Sequence, residues 1–306
     1  MITVIIPVRN RERLVARAIE SVAVQTLPPD EIIVVDDAST DRTIDVVKSF
    51  SKSLKTLKLI SLTKNVGAAQ ARNIAIKNAK SDLIAFLDSD DVWYAEKLSR
   101  QVTEFDANKN VVAAFCGVVI ITPGTEYRHH YIPKPEITLN DLYHSSLLVT
   151  MSCALVRRKA LLDAGGFDET LRNCEDWDLF IRLAERGKIS VVQEELVEYW
   201  RHYGARLTRE KLSVLSSHDV VFERIYKRIA DPRMKRKVRA SHEMRMADIF
   251  STDCFDPFRA IGHSCKSLIL APSPEGWYNF RSVLKSTLKN AIFRRMLDGS
   301  VEKNKI

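Results

Sequence analysis

Several absences in this 306-residue chain narrow its function before any motif is read. No apolar run approaches the roughly 20 residues that a membrane-spanning helix needs. The most apolar stretch, Val111 to Thr122, has the length of a buried strand. The segment after Met1 lacks the basic start and apolar core of a signal peptide. With ten glycines and ten prolines there is little room for a long disordered linker. The five cysteines (Cys116, Cys153, Cys174, Cys254, Cys265) show no close-pair metal spacing and leave one unpaired. They are expected to be reduced thiols of a cytoplasmic protein. Pro7–Leu14 contains no glycine, which argues against the phosphate loop of a sugar nucleotidyltransferase. A P-loop kinase is excluded because no Gly-rich Lys-Ser/Thr motif occurs anywhere. No internal repeat or low-complexity segment is present either.

What remains is a composition within the ordinary globular range, 45% apolar and 28% charged. The net charge of +8 is unevenly spread. From Arg206 onward there are 21 Lys+Arg against 11 Asp+Glu, a net of +10, and before it 26 against 28, a net of −2. A basic tail of this kind suits an anionic membrane surface or an acidic partner, or is simply a set of solvated helical faces. Nucleic-acid binding is not expected, because no aromatic-and-basic recognition motif accompanies the charge.

The first part of the chain alternates strand-length apolar runs with amphipathic ones. Ile2–Val8, Glu31–Asp37, Leu57–Leu62 and Asp82–Asp88 read as strands of a parallel sheet buried on both faces. Arg11–Gln25, Thr40–Phe50 and Gly67–Ala79 carry helical spacing between them. This alternation implies an α/β doubly wound sheet with helices on both faces, whose ligands sit at the carboxyl ends of the strands. Further strands are expected at Val111–Ile121, Ser152–Arg157 and Ile189–Tyr199, a helix at Asp176–Arg186 and a flexible loop at Gly124–Pro135. Strands disappear from about Leu207, so an α/β ligand-binding domain over residues 1–205 is expected, followed by a basic helical extension over 206–306.

Polar residues mark the expected ligand rim. Asp88-Ser89-Asp90-Asp91 places three carboxylates within four residues at a strand end. A divalent cation bridging a diphosphate would relieve their repulsion, and oxygen ligands suit Mg²⁺ or Mn²⁺. A solvated turn with Asp91 capping a helix near Tyr94 is the alternative. Asp36-Asp37 closes the second strand, where a carboxylate suits a nucleobase imide or ribose hydroxyl, although phosphate-transfer receivers also place adjacent acids there. In Glu175-Asp176-Trp177-Asp178, Asp176 falls in the first turn of a helix, Asp178 and Arg182 are spaced to pair, and Trp177 suits a sugar ring.

Six segments occur in order: Ile5–Asn10, Ile33–Asp41, Asn65-Val66-Gly67 with Ala71-Arg72-Asn73, Phe86–Asp91, Gly165–Glu169 and Glu175–Leu179. Together they resemble the family-2 glycosyltransferases, which have the GT-A fold, over about the first 205 residues. The resemblance implies an inverting transfer of a sugar from a nucleoside diphosphate donor, often a uridine one, to a saccharide or lipid-linked acceptor. It implies that Pro7, Arg9 and Asp37 hold the nucleobase and ribose, and that Arg72 lies near the nucleotide. Asp88, Asp90 and Asp91 would bind ribose and a Mn²⁺ or Mg²⁺ ion on the diphosphate, with Asp90 and Asp91 as ligands and Asp91 the more direct. Asp176 would be the general base. The family often has an aromatic residue where Arg9 stands, and an Arg-x-His spacing where this chain has Arg201-His202, so a role for His202 is open. The setting it implies is surface polysaccharide or glycolipid assembly, in the cytoplasm with peripheral contact to an anionic membrane through the basic tail. A glycosyltransferase-like scaffold without turnover is the rival, disfavoured by the intact Asp91 and Asp176.

Overall fold

The computed structural model describes residues 1–122, 124–201, 211–252, 256–272, 274, 276–278 and 280–285. The chain divides into two compact units, one of Met1–Leu142 with Ser146–Ala205, the other of Tyr143–Ser145 with Arg206–Ile306.

The first unit is built on one sheet. Its strands are β1 (Ile2–Val8), β2 (Glu31–Asp36), β3 (Leu57–Ser61), β4 (Leu83–Phe86), β5 (Val92–Trp93), β6 (Val111–Ile121), β7 (Arg128–Tyr131), β8 (Glu136–Ile137), β9 (Leu155–Arg157) and β10 (Lys188–Trp200). The order is β3-β2-β1-β4-β9-β6-β10-β5, with β7 beside β6 and β8 beside β10. The β3-β2-β1-β4 section is parallel throughout, and so is the long pair β6 with β10. The inserted β9 and the short strands β5, β7 and β8 run antiparallel to their neighbours. Between strands lie α1 (Val15–Ala23), α2 (Thr43–Phe50), α3 (Ala68–Asn78), α4 (Lys97–Ala107), α5 (Leu139–His144), α6 (Arg158–Asp163) and α7 (Glu175–Ala184). This is the α/β architecture the alternating pattern implies.

β1 and β2 are buried at every position, which explains their unbroken apolar text. Ile5, Ile6, Ile32 and Ile33 are almost wholly enclosed, and each such side chain contributes about 1.5–3 kcal/mol relative to exposure. β3 differs: as the edge strand it buries only Leu57. α1 turns Val15, Ala18, Ile19, Ser21 and Val22 inward at helical spacing.

Three expectations need correction. The segment from Gly124 to Pro135 is not loop throughout, because Arg128–Tyr131 forms β7 against Val118–Ile121. β6 outruns β9 on that edge, and β7 satisfies the backbone groups left over. The strand expected from Ser152 begins only at Leu155. Thr150 caps a turn of 3₁₀ helix at Met151–Cys153 by accepting the Ser152 N–H. The helix expected near Tyr94 begins at Lys97, since Val92–Trp93 pairs with β10 first, and Asp91 therefore caps nothing.

The described part of the second unit contains α8 (Lys211–Arg228), α9 (Pro232–Thr252) and α10 (Pro257–Leu270). Met246, Ala247, Ile249, Phe250, Ala260 and Val283 form a core of its own. Asp256 caps α10 by accepting the Arg259 N–H, with Pro257 in the first turn, where its missing donor costs nothing.

Candidate active site

Parallel pairing sets Val8 opposite Asp36, while Ile5 lies opposite Phe86, so β1, β2 and β4 deliver their carboxyl ends to one edge. The loops leaving them are stitched by short polar side chains. The Asn10 N–H donates to Ser39 Oγ at 2.9 Å, and the Thr40 N–H donates to Asn10 Oδ1 at 2.8 Å. Asn10 and Ala38 both take positive φ, 51° and 54°, to make these turns. Asp37 is buried, and its two oxygens accept the N–H groups of Val66 (2.6 Å) and Gly67 (2.9 Å). It thereby fixes the loop that launches α3, where Gly67 stands at φ +89°. Pro7 is buried in β1, while Arg9 is exposed just beyond it.

Arg72, on α3 and buried, joins two distant parts of the sequence. One of its amino nitrogens donates to Asp88 Oδ1 at 2.7 Å, the other to Glu175 Oε1 at 3.0 Å. Its guanidinium also lies over the Phe167 ring, 5.4 Å from the centroid. These two charge partners outweigh its burial and raise its pKa further. A buried cation between two carboxylates fixes the loop after β4 and the start of α7 as one assembly.

The three acids after β4 face different surroundings. Asp88 is 28% exposed at its side chain and Asp90 20%, whereas Asp91 is 1% exposed. Asp88 accepts Thr150 Oγ1 at 3.1 Å besides Arg72, and its N–H donates to Ser152 Oγ at 2.9 Å. Arg11 Nε stands 3.8 Å from Asp90 Oδ2. Asp91 Oδ2 accepts hydroxyls from Ser152 (2.6 Å) and Thr150 (2.8 Å), and Oδ1 faces the Trp200 N–H at 3.4 Å. The single Thr150 proton is shared between Asp88 and Asp91. Burial, reinforced by the charges of Asp88 and Asp90, pushes Asp91 well above the usual carboxylate range despite its hydroxyl partners. Oxygen donors of this kind suit a hard divalent cation, but the three carboxylates do not bring their oxygens to one point in this structure. Asp88 and Asp90 turn toward solvent; Asp91 is turned inward.

Asp176 opens α7. Its Oδ1 accepts the neighbouring Trp177 N–H at 2.7 Å. Burial raises its pKa, and nearby Asp88 adds to this, while the Trp177 N–H and Arg72 oppose it. Glu175 is pushed up to about 7 by burial and by the charge of Asp176. A carboxylate with a raised pKa is a better proton acceptor, which general-base work requires. Trp177 does not offer a face to a sugar: it is 3% exposed, and its indole N–H donates to the Leu142 carbonyl. Asp178 and Arg182 do pair, at 2.7 Å, and Arg182 also ties down the Gly166 carbonyl.

Arg72, Asp88, Asp90, Asp91 and Asp176 thus fall into one charged cluster around the β4 loop and the start of α7, while Asp37 braces the loop ahead of α3. His202 lies outside the described residues. Thr150, Ser152, Glu175 and Arg11 belong to the cluster and were not identified from sequence. Glu175 lies inside a motif and was legible as a candidate. Thr150 and Ser152 stand roughly 60 residues from the acids they hold, and only the placement of β9 against β4 reveals them.

The sequence matches the family model described as glycosyl transferase family 2 over residues 3–165. An uncharacterized glycosyltransferase of Haemophilus influenzae is 29% identical over 187 residues, covering 60% of this chain and 62% of that protein. The Escherichia coli UDP-Glc:alpha-D-GlcNAc-diphosphoundecaprenol beta-1,3-glucosyltransferase WfgD is 32% identical over 192 residues, 63% of this chain and 73% of that one. The chain spans less than two thirds of the length of several curated relatives it matches. Among solved structures, residues 1–349 of S. aureus TarS in complex with UDP-GlcNAc superpose with a TM-score of 0.67 at 21% identity, covering 94% of this chain and 91% of that one. That likeness establishes the GT-A-type fold.

Proposed function

The chain belongs to glycosyl transferase family 2, and from that premise we propose that it is an inverting enzyme using a nucleoside diphosphate sugar, UDP-linked in the first instance. The observation that carries this reading is the Arg72 bridge, which joins Asp88 of the acidic loop to Glu175 beside Asp176. One salt-bridged unit then holds donor-binding and proton-accepting groups together. Residues 1–205 form the catalytic domain in this reading and 206–306 its extension.

Pro7, Arg9 and Asp37 line the nucleobase and ribose end, and Arg72 holds Asp88 at the ribose and diphosphate end. Asp90, partly exposed and outside the Arg72 bridge that holds Asp88, and the buried Asp91 are the carboxylates that would hold a Mn²⁺ or Mg²⁺ ion. When bound, such an ion supplies Lewis-acid stabilisation of the departing diphosphate. Asp176 accepts the proton of the acceptor hydroxyl as that oxygen attacks the anomeric carbon from the face opposite the diphosphate. A single displacement inverts the centre and requires no covalent carboxylate intermediate. The acceptor is a saccharide or lipid-linked sugar of surface polysaccharide or glycolipid assembly, a reading supported by the lipid-linked acceptor in the name of the Escherichia coli relative.

Calorimetric titration with UDP, GDP and dTDP, each with and without Mn²⁺, tests the donor site. One nucleotide should bind more tightly with the ion, and Asp90→Asn should abolish that gain while the apparent melting temperature holds. Failure of all three to bind under both conditions overturns the assignment.

No described helix is long and apolar enough to cross a membrane. A cytoplasmic protein in peripheral contact with an anionic surface is the reading for the extension: α10 exposes Phe258 and Ile269 beside Arg259 and Lys266, and Trp277 and Tyr278 are exposed after it. The full chain should sediment with anionic vesicles and not with neutral ones, and equal recovery from both would remove this contact.

A further inference from the structure

The second unit carries a cluster of titratable groups that the donor chemistry does not use. His218 and Asp219 are adjacent on α8, and His242 stands on α9. His242 Nδ1 lies 3.2 Å from His218 Nδ1, and its Nε2 lies 3.4 Å from Asp219 Oδ1. One ligand atom from each of the three residues falls within 4.8 Å of the other two, the only such grouping of His, Cys, Asp or Glu among the described residues.

The two imidazole rings lie stacked, 5.1 Å between centroids, in a largely enclosed site. His218 is 7% exposed, and the Phe222 ring stacks on His242 at 3.8 Å between centroids, so both histidines are walled by apolar surface. Asp219, 56% exposed at its side chain, gives the cluster an opening to solvent and a negative charge. Burial lowers His218 to about 3 and His242 to about 4, with nearby Arg245 and Arg239 pushing the same way. Imidazole is among the commonest metal ligands, through either ring nitrogen. Burial and the charges of Glu223 and Glu243 raise Asp219 against His263, and Glu243 opposes Arg239 at His242. Zinc–nitrogen bonds of about 2.0–2.1 Å place the ligands of a tetrahedral site about 3.4 Å apart, close to the observed nitrogen separation.

We propose that His218, Asp219 and His242 form a binding site for one divalent transition-metal ion of the Zn²⁺ class, two imidazole nitrogens and a carboxylate oxygen being completed by water. The ion clips α8 to α9. α9 already packs through Met246, Ala247, Ile249 and Phe250, and the ion would add a tie at its more basic first half, where Pro232–Ala240 holds five basic residues. The ligand set differs in kind from the acidic rim, where oxygen donors alone suit Mg²⁺ or Mn²⁺.

The test uses the full chain, stripped with a chelator and titrated with Co²⁺ as a visible probe. One equivalent should develop the intense bands of four-coordinate nitrogen-and-oxygen ligation, be displaced by Zn²⁺ and persist in excess Mg²⁺. His242→Gln should lose the bands while far-ultraviolet circular dichroism is retained. Should that variant fail to fold, Asp219→Asn, altered at an exposed side chain, should weaken Co²⁺ by at least the roughly 10–100-fold that loss of an outer-shell partner costs. Absence of the bands from the folded wild type, or unchanged affinity in Asp219→Asn, overturns the site.

Discussion

The acidic rim after β4 and the histidine pair of the helical unit are both clusters of enclosed titratable groups, and burial drives both toward neutrality. It raises Asp91 and Asp176 and lowers His218 and His242, because removing water disfavours charge of either sign. They differ in what relieves the strain. The rim gathers carboxylates whose repulsion calls for positive charge, and it already holds one cation, Arg72, between Asp88 and Glu175. The histidines carry no net charge to neutralise, and offer lone pairs instead. A hard ion should therefore discriminate for the rim and a borderline one for the imidazoles. Burial alone does not say which ligand a cluster wants; the residue type does.

The largest effect should come from separating binding from chemistry within the rim. Asp176→Asn keeps the shape and the oxygen that accepts the Trp177 N–H, but not the basicity. Turnover should fall by about 10²–10⁴-fold, while nucleotide affinity stays within about twofold of wild type. A matching loss of nucleotide affinity would make Asp176 part of the donor site and leave the rim a single binding cluster.

How much of this was legible in the sequence depended on the range of the interaction. β1 and β2 were legible because strands buried on both faces spell unbroken aliphatic runs, and the rim followed from where parallel strands end. The Asp178–Arg182 pair was legible because helical spacing brings residues four apart together. The inward turn of Asp91 was not. It depends on Thr150 and Ser152, whose approach is set by β9 entering antiparallel beside β4, and no local pattern records that pairing. Trp177 misled for a related reason. An aromatic beside a carboxylate looks like a sugar platform, but its indole N–H finds the Leu142 carbonyl 35 residues away and the ring is enclosed. β7 was missed because its residues are polar and all but Tyr131 are exposed, and only the unsatisfied edge of β6 recruits them.

A smaller effect tests whether Glu175 and Asp176 titrate as a pair. Glu175 is pushed up to about 7, with the charge of Asp176 among the causes, so protons leave the two groups in coupled steps. The base must be ionised to work, so kcat/KM should fall as pH drops through this raised range, giving an acid limb above the ordinary carboxylate region. Stability should run the other way. Because the folded state holds its proton on Glu175 up to about 7, against 4.5 for the ordinary value, that stabilising contribution is fully present below 4.5 and is lost as pH rises through 7. Glu175→Gln removes one negative charge beside Asp176 and leaves Arg72 bound to Asp88. The acid limb should then move down by about one pH unit, the scale on which coupled sites separate, and the loss of melting temperature as pH rises from 4.5 to about 7 should shrink. An unmoved limb with a shrunken stability loss would mean that Glu175 acts on the fold through Arg72 and leaves the base untouched, and the rim would then divide into a structural pair and an independent catalytic carboxylate.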